Sequence, residues 1–176
     1  MLVWSRVFLT MPVLDDVLAP GLCVVFCGTA PGRASAAQGA YYAHPQNKFW
    51  RVLHEVGFTP RQLRPEEFRE VLQYGLGLTD IAKHTFGMDS QLPAGSLGPE
   101  ATRALRERID FYQPRVLAFT SVTGGSRYLG RKARLGLQPE RVGNTIVWVL
   151  PSPAPTANWR WDAGPWRQLA GFVVTG

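Results

Sequence analysis

One short segment, residues 22–27, constrains the fold more than any other part of the chain. It consists of Leu-Cys-Val-Val-Phe-Cys without a polar interruption, and it ends at Gly28. A continuous apolar run of this length, closed by glycine, is typical of a central strand in a parallel sheet, where helices bury both faces. The segment therefore predicts an α/β fold.

The rest of the chain alternates short apolar runs with amphipathic stretches. Further strands are predicted at residues 76–81, 116–119 and 145–150, the last after a tight turn at Gly143-Asn144 that follows a short partner strand. Helices are predicted at residues 47–56, with Asn47 as the N-cap, and at 65–74, 99–112, 122–129 and 165–174, whereas residues 28–45 are expected to form a loop. This alternation predicts a three-layer α/β/α sandwich around a short, mostly parallel central sheet, with residues 1–176 forming a single domain.

Composition narrows the class of protein. Hydrophobic residues make up 45% of the 176 residues and charged residues 18%, which permits a core and excludes general disorder. No apolar run approaches the roughly 18 residues of a membrane span, and Asp15 and Asp16 interrupt an N-terminal segment that has no clear cleavage pattern. Cys23 and Cys27 are expected to be buried thiols on one face of a strand, in a reducing compartment. We therefore expect a soluble, cytoplasmic monomer without metal, cofactor or membrane contact.

The net charge of +6 is distributed unevenly. Residues 1–80 hold seven basic and seven acidic side chains, whereas residues 81–176 hold twelve basic and six acidic ones. The surplus is densest where Glu140 alone accompanies Arg115, Arg127, Arg131, Lys132, Arg134 and Arg141. A basic, arginine-rich surface suits a phosphate-bearing polyanion, although a merely soluble surface explains the charge equally well.

In an open parallel sheet, ligands bind beyond the carboxyl ends of the strands. Three segments emerge at that edge, namely residues 28–50, Thr79-Asp80 and residues 150–158. The first begins with Gly28-Thr-Ala-Pro-Gly32, a turn that lets backbone N–H groups approach a ligand closely. It lacks the lysine of a Walker loop and the third glycine of a dinucleotide fingerprint, so a nucleotide cofactor is not expected.

These segments resemble the mismatch-specific uracil/thymine-DNA glycosylases of the uracil-DNA glycosylase superfamily. The resemblance rests on VVFCGTAPG at residues 24–32 and YAHPQNKFW at residues 42–50, and it continues through residues 57–59, 61–63, 77–79 and 148–151. It implies an α/β fold with a short central sheet, no metal, and removal of a damaged base by cleavage of its N-glycosidic bond. The implied partner is double-stranded DNA that carries uracil or a mismatch.

The resemblance also implies roles for individual residues. Tyr42 matches the aromatic platform for the flipped base, and the backbone near Gly32 and the Ser35 hydroxyl fall where the family contacts the pyrimidine edge, although Ser35 serves equally well as a loop cap. Thr29, Ala30 and Ser152 are further base-binding candidates. The DNA-binding candidates are Pro155, Thr156, Ala157 and Asn158, in the loop that enters the minor groove in the family, and Arg160, which we expect to hold a phosphate. His44 is interpreted as a brace for its loop.

The sequence departs from the family at the residue that positions the attacking water. Ala30 stands where the family usually has Asn, and Ser152-Pro-Ala-Pro155 replaces the usual Asn-Pro-Ser-Gly. Asp80 is the predicted catalytic replacement, because a carboxylate at the end of a strand can activate water and stabilise a glycosyl cation. A cap for the next loop is the competing interpretation of Asp80, and Asp89 is the alternative acid.

The resulting hypothesis is a monofunctional DNA glycosylase that removes uracil, including uracil from G·U mismatches, by water attack. No lysine occupies an obvious nucleophile position in the three segments, so lyase chemistry through a Schiff base is not expected. Two alternatives stay open. One is a glycosylase that prefers another deaminated base such as hypoxanthine, and the other is a non-catalytic protein that binds damaged DNA.

Overall fold

The computed structural model describes residues 11–176, so the part of the N-terminal expectation that concerns residues 1–10 lies outside the described residues. Five strands form one sheet in the order β2-β1-β3-β5-β4. They are β1 (Val24–Gly28), β2 (Leu76–Asp80), β3 (Val116–Phe119), β4 (Gly136–Val142) and β5 (Thr145–Val149). All neighbouring strands pair in parallel except β4, the antiparallel edge strand beside β5. The predicted fold class is confirmed.

Helices cover both faces of this sheet. The α-helices are α1 (Arg33–Gln38), α2 (Phe49–Glu55), α3 (Pro99–Tyr112), α4 (Val122–Leu129) and α5 (Gly164–Thr175), and 3₁₀ helices span Pro65–Tyr74, Asp89–Gln91 and Pro155–Arg160. One core contains buried residues of α2, the Pro65–Tyr74 helix and α5, whereas the other contains buried residues of α3 and α4. The sheet therefore lies between two helical layers, which is why its central strands are apolar on both faces.

Side chains of β1 show how the two cores are separated. Val24 and Phe26 belong to the core with α2 and α5, whereas Val25 and Cys27 belong to the core with α3 and α4. Successive residues of a strand point to opposite faces, so a short run without polar residues supplies both cores at once. Every residue of β1 is buried, as residues 22–27 predicted for a central strand.

Four local expectations are corrected by the structure. Residues 28–45 are not all loop, because α1 lies within them and ends at Gly39 in the left-handed conformation (φ 65°). Asn47 is not the N-cap of α2; Lys48 takes that position, and the Asn47 side chain accepts the Phe49 N–H at 2.9 Å. Cys23 is exposed because it precedes β1, whereas Cys27 is buried. Residues 65–74 form a 3₁₀ helix.

The chain reaches the last parallel strand through a hairpin. Gly143, with φ 56°, makes the turn between β4 and β5, which agrees with the turn expected at this position. Across residues 11–176, no helix combines the length and apolar character needed to cross a bilayer.

Candidate active site

A cavity of about 670 Å³ opens at the carboxyl edge of the sheet. Its walls come from residues 28–35, which follow β1, from Asp80 at the end of β2, from Thr120 after β3, and from residues 152–156 after β5. Tyr42 and residues 87–90 are also part of the lining. The cavity therefore lies where an open α/β sheet binds its ligands, and loops from four parallel strands reach it.

Asp80 lies at the floor of this cavity and is 3% exposed. It faces Gly28 across the β1–β2 pair, so closely that a Cβ atom on Gly28 would lie 2.5 Å from the carboxylate Oδ1 and 3.6 Å from the Tyr42 hydroxyl. The other carboxylate oxygen, Oδ2, is buried and has no hydrogen-bond partner among the described residues. The sequence predicted Asp80 at the carboxyl edge of the sheet, and the structure places it there in a buried position.

Burial dominates the electrostatics of Asp80. The pKa of this carboxyl is raised from 3.8 to about 7, chiefly because burial disfavours the charged form. The cations of Lys83 and Arg108 lower the pKa, whereas repulsion from Asp16 adds to the increase. A carboxyl that titrates near neutral pH inside a cavity is suited to exchange a proton with a bound molecule.

A network of charged side chains lies beside Asp80. Asp16 accepts hydrogen bonds from the Thr79 hydroxyl and from the Lys83 ammonium group, both at 2.6 Å. The Arg108 guanidinium donates to the backbone carbonyl of Asp80 at 2.9 Å, and its Nε lies 3.4 Å from an Asp16 carboxylate oxygen. Two cations and two carboxylates thus balance one another around the end of β2.

Tyr42 forms part of the cavity wall. Its ring stacks on Phe49 with a centroid distance of 3.8 Å and an interplanar angle of 16°. Its hydroxyl lies 3.0 Å from that of Thr120, and burial raises the pKa of its phenol well above the usual value. A positive φ of 51° separates its direction from that of Tyr41, which is buried in the core. The ring is therefore fixed on one face while it lines the cavity, as an aromatic platform requires.

The smaller residues predicted to bind the base also line the cavity, but several of their hydroxyl groups have protein partners. Thr29, Ala30, Gly32, Ser35 and Ser152 are all in the lining. The Ser35 hydroxyl accepts the Ala43 N–H at 3.1 Å, and the Ser152 hydroxyl accepts the Ala154 N–H at 3.2 Å. The Thr29 hydroxyl donates to Asp89. Gly32 precedes the first turn of α1, where backbone N–H groups lack partners within the helix.

His44 and Asp89, the two remaining titratable candidates, are exposed. His44 accepts the Gln46 N–H at 3.1 Å through Nδ1, which is a bracing contact within its own loop. Asp89 lines the outer part of the cavity and is held by Thr29, so it is further from the cavity floor than Asp80.

Only part of the loop predicted to contact DNA lines the cavity. Pro155 and Thr156 line the cavity, whereas Ala157, Asn158 and Arg160 do not. The Asn158 side chain accepts a hydrogen bond from Lys48, and the Arg160 guanidinium lies over the Trp159 ring at 3.9 Å. The loop is therefore tied to the start of α2, and its one cation, Arg160, lies outside the cavity lining.

Sequence reasoning missed Thr120, Asp16, Lys83 and Arg108. Thr120 follows the predicted third strand, so its position at the carboxyl edge of the sheet was predictable by the same rule as that of Asp80. Asp16 and Arg108 carried no comparable signal, because Arg108 lies in the middle of the amphipathic helix α3 and reaches Asp80 only through tertiary packing.

A profile of the Uracil DNA glycosylase superfamily matches residues 16–170 of the chain. The chain belongs to this superfamily. The match includes all five strands and the whole lining of the cavity except Leu14. Membership of the uracil DNA glycosylase superfamily supports the function of a DNA glycosylase, and DNA is the substrate on which members of the superfamily act.

The fold is also found in a solved structure. The solution NMR structure of a protein from Methanosarcina acetivorans, provisionally described as a uracil DNA glycosylase, superposes with a TM-score of 0.60. The two sequences are 18% identical, and the similarity covers 93% of this chain and 96% of the other. At this identity the comparison shows a shared fold.

Proposed function

We propose that this member of the superfamily is a monofunctional glycosylase that removes uracil from double-stranded DNA, including uracil from G·U mismatches. The observation that carries the proposal is the buried Asp80 carboxyl, whose Oδ2 has no hydrogen-bond partner among the described residues and whose Oδ1 lies close to Gly28 on the cavity lining. A buried carboxyl oxygen without a hydrogen-bond partner is costly in a protein interior, so its presence at a cavity floor favours a chemical role.

The proposed chemistry uses two residues of the cavity, Tyr42 and Asp80. The target nucleotide leaves the base stack, because its glycosidic carbon is inaccessible within a duplex, and the uracil stacks on Tyr42. The C1′–N1 bond breaks with its electron pair leaving on the uracil, and the carboxylate of Asp80 stabilises the developing positive charge on the sugar. A water molecule then bonds to C1′ and transfers a proton to Asp80, which leaves an abasic site and a uracil anion. The anion takes up a proton from solvent, and Asp80 returns its proton to solvent.

In the family that the sequence resembles, a side-chain amide at position 30 positions the attacking water. In this proposal Asp80 performs that function. Ala30 lines the cavity and has no polar side-chain atom, so it cannot hold a water molecule. The carboxylate on the neighbouring strand approaches Gly28, two residues before Ala30 along the chain. In this proposal the acid at position 80 compensates for the missing polar side chain at position 30.

A duplex that contains one G·U pair tests the proposal. After incubation and alkaline treatment, the wild-type protein is expected to produce strand cleavage at the uracil position. Asp80→Asn should lower the rate of excision by about 10²–10⁴-fold, the usual contribution of a positioned general base. Asp89→Asn is the matched control, since its carboxylate is exposed at the outer part of the cavity.

DNA affinity separates the proposal from simple binding of damaged DNA. Asp80→Asn should bind the same duplex as tightly as wild type at a fixed salt concentration, because the carboxylate is buried and is not part of the exposed surface. Tight binding by wild type without any abasic product would contradict the proposed activity and favour a damage-binding protein.

A second candidate activity is removal of hypoxanthine or another larger deaminated base. The absence of a polar side chain at Ala30 and a cavity of about 670 Å³ leave room for more than a pyrimidine. Duplexes that carry hypoxanthine in place of uracil test this candidate, and faster release of hypoxanthine than of uracil would make it the principal activity.

A further inference from the structure

The segment of residues 86–88 carries two exposed apolar side chains, one of which lines the cavity. Met88 lines the cavity and is 50% exposed, and Phe86, two residues earlier, is 52% exposed. Exposed Phe111, by contrast, lies near the end of α3, where Tyr112 accepts a hydrogen bond from Gly21 ahead of β1. That position is at the amino edge of the sheet, away from the cavity.

The backbone that carries Phe86 and Met88 is held in place by several contacts. The Gly87 N–H between them donates to the Pro31 carbonyl at 2.9 Å, which joins this segment to the loop after β1. Met88 accepts the Gln91 N–H at 2.8 Å, and Asp89 accepts the Thr29 hydroxyl. The two apolar side chains therefore project from a fixed base, which lowers the entropy cost of using them in a complex.

A cation lies on the same side of the cavity. Arg33, in the first turn of α1, lines the cavity and is exposed. Within residues 11–176, no carboxylate lies at ion-pair distance from its guanidinium. Apolar side chains next to an unpaired arginine combine the two chemistries of an opened DNA duplex, which offers base faces and phosphates.

We propose that Met88 and Phe86 form a wedge that enters the DNA base stack beside the flipped nucleotide. The inference rests on the proposed function, since it requires a base to occupy the cavity. Apolar side chains inserted between base steps unstack DNA and help to keep it open. Pro155 and Thr156 line the same cavity as Met88, so the residue 155–158 loop is available for a further contact with the opened duplex.

A comparison of duplex and single-stranded substrates tests the wedge. Only the duplex must be unstacked before its uracil enters the cavity, so a wedge increases the duplex rate selectively. For the double variant Phe86→Ala/Met88→Ala, the ratio of the duplex to the single-strand excision rate should fall by about tenfold or more, given the cost of unstacking a base step. Phe111→Ala is the matched control, with a 79% exposed aromatic side chain removed at the opposite edge of the sheet.

An unchanged ratio in the double variant would overturn the inference, and so would an equal decrease in the ratio for Phe111→Ala.

A second measurement does not depend on catalysis. Fluorescence of 2-aminopurine next to a G·U pair should increase when wild-type protein binds and increase less with the double variant. Equal increases would contradict the wedge, whereas a wild-type protein that opens the duplex but cleaves neither substrate would contradict the proposed function alone.

Discussion

The Tyr42 hydroxyl and the Thr120 hydroxyl lie 3.0 Å apart and join the aromatic wall of the cavity to the end of β3. Thr120 also donates to the Cys27 carbonyl at 3.3 Å, so the contact reaches β1 as well. Because Phe49 covers one face of the tyrosine ring, the ring is held both by stacking and by its polar end. A rigid aromatic ring loses little freedom when a base stacks on it.

We expect Tyr42→Ala to lower kcat/KM for uracil excision by between about fivefold and about 150-fold, because stacking of a base on an aromatic ring contributes about 1–3 kcal/mol. Tyr42→Phe keeps the ring and removes only the contact with Thr120, so its loss should be smaller. Steady-state kinetics on one uracil-containing duplex measures both variants. Equal losses in the two variants would show that the hydroxyl, and not the ring, matters.

The pH dependence of excision should follow Asp80. Its pKa is raised to about 7, and only the ionised carboxylate can accept a proton from water. The single-turnover rate should therefore increase with pH through about 7 and become constant above that value. Measurements at constant ionic strength avoid the effect of salt on DNA binding. A rate that falls over the same interval would indicate that Asp80 acts as an acid.

Lys83 should control the position of that pH profile. Its ammonium group is fixed by Asp16 at 2.6 Å, and its charge lowers the pKa of Asp80 against the effect of burial. Lys83→Met should therefore move the midpoint of the profile to higher pH, whereas Lys83→Arg keeps the charge and should move it less. Identical profiles for the methionine and arginine variants would contradict this electrostatic role.

Gly28→Ala should impair catalysis through the Asp80 carboxylate. The added methyl group would lie 2.5 Å from Oδ1, a distance that forces the side chain to turn away. We expect a large decrease in kcat with little change in DNA affinity, since Gly28 is on the cavity floor. Gly171→Ala is the control, because a Cβ atom on this residue of α5 meets no other atom within 4 Å. Unchanged excision by Gly28→Ala would contradict the tight approach of Asp80 to β1.

The strands were predictable because their signal is local. Val24 to Cys27 are buried from both faces, and an apolar run of that kind has few other uses in a chain of this length. Helix α1 was missed because Ala34, Ser35, Ala36 and Ala37 have no apolar periodicity, and its two glycine neighbours suggested a loop. Local sequence therefore predicted the sheet better than the segment that lines the site.

The site itself was predictable only in part. Asp80 could be assigned to the carboxyl edge because it ends a strand, and the same rule applies to Thr120. The contact between Arg108 and the Asp80 carbonyl joins residues 28 positions apart and depends on how α3 packs on the sheet. The burial of the Asp80 side chain was not predictable either, because it depends on how neighbouring segments pack around the end of β2.

The last prediction concerns the stability of the folded protein. The folded state keeps a proton on Asp80 up to a pKa of about 7, whereas the unfolded chain loses it near 3.8. Between these values the folded state binds more protons, so the free energy of unfolding should decrease as the pH rises, by roughly 4 kcal/mol in total. Asn does not ionise, so Asp80→Asn should be more stable than wild type above pH 7 and lack this decrease.

Urea unfolding at a series of pH values measures the effect, with Asp89→Asn as a control for removal of an exposed carboxylate. The control should follow the wild-type curve closely, since exposed charges contribute little to stability. The Asp80→Asn curve should separate from it progressively between pH 3.8 and about 7 and remain separated by a constant amount above that range. An Asp80→Asn protein that is less stable than wild type at high pH would show that the ionised carboxylate is stabilised by partners, in which case its burial would not indicate a catalytic role.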